Sequence, residues 1–110
     1  MSTLKQLAAL GRIADLMLDQ RLQVLLRAQD ARTATKDRIA ALEQPQDLDA
    51  CSLQASVQAQ MLYQAWADMR RKDLNLVLAK QTVKVMEVES DARLAFGKQS
   101  ALRQLQDKWR

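Results

Sequence analysis

Residues that break helices are almost missing from this chain. Its 110 residues hold one proline, Pro45, and two glycines, Gly11 and Gly97. Proline ends a helix because it lacks an amide donor and its ring clashes with the preceding turn, while glycine only loosens one. The chain therefore has one central place to turn, the stretch Glu43-Gln44-Pro45-Gln46-Asp47. The residue before a proline is pushed out of the helical region, so a first helix should stop near Glu43. Asp47 is the candidate N-cap of a second, its carboxylate accepting from the free amides of the first turn. The expectation is one domain over residues 1–110, with helix 3–43, turn 44–47 and helix 48–108, and a break near residue 97.

Composition supports an all-α fold. Hydrophobic residues reach 48% but aromatics only 4%, and Ala, Leu, Gln, Arg and Lys dominate as they do in long helices and coiled coils. In the first arm, Leu4, Leu7, Gly11, Ala14, Leu18, Leu25, Ala28, Ile39 and Leu42 recur on alternating steps of four and three, with Arg21, Arg32 and Thr35 as polar interruptions. That is a heptad seam. Thr3 with Gln6 has capping-box spacing at its start. In the second arm the matching seam reads Leu48, Ala55, Ala59, Leu62, Trp66, Met69, Leu76 and Val83. Leu74 to Val88 is apolar all round, a pattern expected where a helix is covered on more than one side.

A turn centred on Pro45 sets the pairing. Leu42 meets Leu48, Ala28 meets Leu62, Leu25 meets Ala65 or Trp66, Gly11 meets Ala79 and Leu7 meets Val83. The first arm then runs out opposite Glu89. The predicted fold is a long antiparallel helical hairpin, a two-helix coiled coil, with Ser90–Arg110 as a helical overhang at the C-terminus.

Charge narrows the function classes. The net charge is +4 and the pI about 9.6, short of the dense positive field of a nucleic-acid binder. The longest uncharged run, Ala50 to Ala67, contains Gln54, Gln58, Gln60 and Gln64 and is too polar to span a bilayer. The single cysteine, Cys51, fits a reducing compartment and a small packing position near the tip. No export signal is read at the N-terminus, so the expected location is the cytoplasm.

Little here can carry chemistry. There is no histidine, which removes the commonest general base and metal ligand. Cys51 has no histidine to activate it and no second cysteine for zinc. Asp15 and Asp19 lie one turn apart, but Arg12 precedes Asp15 by a turn and surface pairing explains them. No catalytic residue, metal, cofactor or small-molecule substrate is expected. What stands out is suited to protein contacts. Arg70-Arg71-Lys72 is the one basic triplet, either a solvated helix face or a patch for an acidic partner. Tyr63 lies off the expected seam beside Met61, Met69 and that triplet; Trp66 lies on the seam and is expected in the core. Phe96 and Trp109 belong to the overhang, where Trp109 either anchors another protein or frays. Tyr63, Arg70, Arg71, Lys72, Phe96 and Trp109 are thus the candidate partner-binding residues.

The two arms Thr3–Glu43 and Asp47–Arg110 about Pro45, with Arg70-Arg71-Lys72-Asp73-Leu74 and Ala92-Arg93-Leu94-Ala95-Phe96-Gly97, resemble the FliJ/YscO-type stalk proteins of flagellar and type III secretion export. The resemblance implies a cofactor-free hairpin that inserts into a hexameric export ATPase and helps the export gate and chaperones engage. Beside it stands a generic helical adaptor that homodimerises into a four-helix bundle. A third reading is a basic helical protein that binds nucleic acid.

Overall fold

The computed structural model describes residues 2–43 and 53–109. Two α-helices account for nearly all of them: α1, Ser2–Leu42, and α2, Leu53–Lys108. The predicted all-α fold of two unequal antiparallel helices is the fold observed, and no strand occurs among the described residues. The turn at Pro45, the Asp47 cap, Leu48 and Cys51 lie outside the described residues. α1 already includes Ser2, so Thr3 sits inside the first turn. At its other end the Glu43 amide donates to the Ala40 carbonyl at 3.1 Å, a tightened last turn that uses an otherwise orphaned acceptor. α2 runs through Gly97 without a break. Gly97 faces open space, while Ala95 and Gln99 on either side are buried; packing there outweighs the roughly 1 kcal/mol that glycine costs a helix.

The residues group into two compact units, Met1–Asp30 with Val83–Arg110, and Ala31–Thr82. In the first unit, Gln106 Nε2 donates to the Leu7 carbonyl at 2.8 Å and Gln99 Nε2 donates to Asp15 Oδ1. Numbers rise on one helix as they fall on the other, so the pair is antiparallel. Its core is Ala14 and Leu18 against Val85, Val88, Ala92 and Ala95. Small residues let the helix axes approach, and Gly11 is the extreme case. A Cβ there would lie 2.8 Å from Gln106 Nε2, so the bare glycine makes room for the amide that reaches the Leu7 carbonyl.

In the second unit, Arg32 Nε donates to Thr82 Oγ1 at 3.1 Å, and Thr82 Oγ1 donates to the Leu78 carbonyl. Thr35 is buried and its hydroxyl donates to the Ala31 carbonyl. Among the described residues of this unit, Ala67 and Leu74 are the buried apolar ones. Gln81 Oε1 is buried without a hydrogen-bond partner among the described residues.

These contacts correct two expectations. The first is the register. Leu7 meets Gln106 and not Val83, and Gly11 meets Gln106 and not Ala79. Residues 99–106 therefore pack against α1, and there is no C-terminal overhang. The first arm seam is as expected over most of its length: Leu7, Gly11, Ala14, Leu18, Leu25, Ala28, Arg32, Thr35, Ile39 and Leu42 are all buried or half-buried, while Leu4 at its start and Arg21 are exposed. The second is the seam of α2. The positions turned inward are Ala67, Arg71, Leu74, Leu78, Gln81, Val85, Val88, Ala92, Ala95, Gln99, Leu102 and Gln106, every one buried or half-buried. They too step by four and three. Leu62, Trp66, Met69, Leu76 and Val83, expected inside, are exposed. The expected seam is a real heptad row, but it lies on the outer side of the helix.

Candidate functional site

In the unit formed by residues 1–30 and 83–110, the two sides of the helix pair differ in chemistry. The difference starts in the flanks of the α1 seam. The residues one place before Gly11 and Leu18 are Leu10 and Met17; those one place after Gly11 and Ala14 are Arg12 and Asp15. A coiled-coil flank position covers the seam from the side, so one side is walled by hydrocarbon and the other by charge.

The apolar side is an open cleft of about 210 Å³. Leu10, Ile13 and Met17 of α1 and Leu94 and Leu102 of α2 line it, with Arg21, Asp91 and Lys98 around its rim. Leu10, Ile13, Met17 and Leu94 are exposed to solvent. The arrangement can hold the apolar edge of a further helix, with rim charges to orient it.

The polar side gathers Arg12, Asp15, Gln99, Arg103 and Gln106 beside Gly11. Asp15 accepts from Gln99 and lies 3.8 Å from Arg103. Gln99 is buried while the Asp15 side chain is 49% exposed; the bond ties one level of α1 to one level of α2 and so marks the register of the pair. Sequence reasoning assigned Asp15 to local pairing with Arg12 and overlooked Gln99 and Gln106. The available signal was their spacing of seven, shared with Ala92 and Val85.

The predicted partner-binding residues fall in separate places. In the unit formed by residues 31–82, Tyr63 and Trp66 have ring centroids 5.8 Å apart in a tilted arrangement. Their expected roles are reversed: Tyr63 is half-buried and Trp66 exposed. Arg70 and Lys72 are exposed, whereas Arg71 turns toward the seam and donates to Asp68 at 2.8 Å. The triplet is therefore not one patch, because consecutive residues point about 100° apart around a helix. In the other unit Phe96 and Trp109 are both exposed, and the Trp109 amide donates to the Leu105 carbonyl, extending the last turn of α2. Among the described residues no three side chains are grouped to hold a metal ion, and no helix is long and apolar enough to cross a membrane.

Comparisons with protein families, with characterised proteins and with solved structures return no match.

Proposed function

We propose that the chain is a coiled-coil interaction protein whose two-helix scaffold presents apolar faces to other proteins. Its specific role is that of a stalk or chaperone component of a bacterial flagellar or type III export apparatus. One observation supports the general reading. The apolar residues buried among the described ones are Ala14, Leu18, Ala67, Leu74, Val85, Val88, Ala92 and Ala95, half of them alanine. The larger side chains Leu10, Ile13, Leu16, Leu26, Met69 and Leu94 stand exposed. Burial of apolar surface is worth about 25 cal/mol per Å², so these exposed side chains of the described residues are available to stabilise contacts beyond the two helices. The specific reading rests on the resemblance of the hairpin to the export stalks.

Mixing the purified chain with a purified hexameric export ATPase tests the specific role. Co-elution on size exclusion is expected, and separate elution at micromolar concentrations removes it. Self-association into a four-helix bundle is a second reading, favoured by the inter-helix cleft at Leu10, Ile13 and Leu94. Sedimentation equilibrium decides that one, since a monomer mass at every concentration would exclude it.

A further inference from the structure

The exposed row on α2 is itself a coiled-coil seam. Within the unit formed by residues 31–82 it runs Leu62, Trp66, Met69, Asp73, Leu76 and Lys80, alternating steps of four and three. Relative exposures are 73% for Leu62, 55% for Trp66, 71% for Met69 and 60% for Leu76. The same stretch buries Ala67 and Leu74 on its inner side. Two heptad rows on opposite sides of one helix fit a helix packed between two neighbours, and α1 supplies only one.

The polar positions identify the second neighbour. Asp73 and Lys80 sit in the row itself, one heptad apart. A second copy of this chain meets them badly. Packed parallel, Asp73 faces Asp73 and Lys80 faces Lys80. Packed antiparallel with the two rows interleaved, Asp73 faces Leu76 of the other copy and Lys80 faces Met69. The antiparallel register that joins Asp73 to Lys80 sets Met69 against Lys84. Each arrangement sets like charges together or sets charged residues against the apolar half of the row, which disfavours a second copy. A membrane surface fits no better, because Asp73 would enter an anionic interface at the middle of the apolar strip. The flanks add Arg70 and Lys72, both exposed. Trp66, held against the Tyr63 ring, is a rigid aromatic of the kind that anchors interfaces.

Building on the interaction-protein reading, we propose that the Leu62–Lys80 row of α2 docks one amphipathic helix of a different protein. That helix carries an apolar heptad seam, a basic residue facing Asp73, an acidic residue facing Lys80, and acidic flanks facing Arg70 and Lys72.

A synthetic three-heptad peptide of that design, titrated against the full chain and read by Trp fluorescence, is the probe. A second peptide keeps the same seam but has lysine flanks. The acidic peptide is expected to saturate in the micromolar range with a blue shift, and the lysine peptide to bind at least tenfold more weakly. Met69→Glu and Asp73→Lys, both outward-facing, should each weaken the acidic peptide at least tenfold while leaving the circular dichroism spectrum unchanged. Equal binding of the two peptides, or none, overturns the proposal. So does a dimer abolished by Met69→Glu, which assigns the row to a second copy. So does a Trp66 blue shift on phosphatidylserine vesicles lost in Met69→Glu, which assigns it to a membrane. Failure here with ATPase co-elution retained rejects this row alone and leaves the stalk role standing.

Discussion

Between residues 62 and 80 α2 carries two heptad rows that differ in an unexpected direction. The outer row holds the bulkier side chains, Leu62, Trp66, Met69 and Leu76, all exposed. The inner row holds Ala67, Arg71, Leu74 and Leu78, all buried or half-buried. If side-chain size alone decided burial, the rows would be exchanged. What decides is fit to the opposing helix. The facing stretch of α1 offers Arg32, Thr35, Ile39 and Leu42, and its polar groups need partners. Arg32 finds Thr82, and Thr35 satisfies its hydroxyl on the Ala31 carbonyl. Buried polar groups cost free energy unless they are bonded. Thr82, next to Gln81 on the flank of the inner row, supplies the acceptor for Arg32, so this side of α2 can satisfy the polar face of α1. The bulky row is left for a different neighbour.

The contrast can be broken most sharply at two leucines two positions apart. Leu74→Ala removes a residue only 5% exposed and should lower stability by about 2–4 kcal/mol. Leu76→Ala removes one that is 60% exposed and should change it by less than about 0.5 kcal/mol. Urea melts followed by circular dichroism compare the two; equal losses would show that the rows do not differ in burial, and a larger loss for Leu76→Ala would mean they are exchanged.

A smaller effect is expected at the polar lock of the other unit. Gln99→Ala removes the donor to Asp15 and should cost about 1–2 kcal/mol. An undiminished urea midpoint would show that the bond does not hold the register.

The smallest effects are expected at the two glycines. Gly97→Ala enters open space and should stabilise by about 0.5–1 kcal/mol through helix propensity alone. Gly11→Ala has the same propensity gain but displaces Gln106 from the Leu7 carbonyl. Losing a hydrogen bond worth about 1 kcal/mol should leave that variant near neutral. Thermal melts that rank the two equally would show that Gln106 adds nothing.

How far the chain was legible follows from the same physics. The α1 seam was readable from Leu7 to Leu42, Arg21 apart, because its flanks are polar on one side and broken by charge toward Leu42, leaving a single candidate stripe. α2 was not, because Leu74 to Val88 is apolar all round and allows more than one phase. Choosing the phase with Trp66 and Met69, and pairing it symmetrically about Pro45, gave the wrong register and with it an overhang that does not exist. The same phase placed Trp66 in the core, where the structure has it exposed, and Arg71 turns inward, away from Arg70 and Lys72.

By itself the sequence determined that this is an all-helical chain of two unequal antiparallel arms, because one proline and two glycines leave no other way to interrupt helix. It also determined which face of α1 is buried, since only one stripe there is apolar enough. Only the tertiary structure decided which of two heptad rows on α2 meets that stripe. Helical periodicity defines rows but not their partners. The choice depends on contacts between residues far apart in the chain, such as Gln99 with Asp15 and Gln106 with the Leu7 carbonyl, whose bonding no local pattern records.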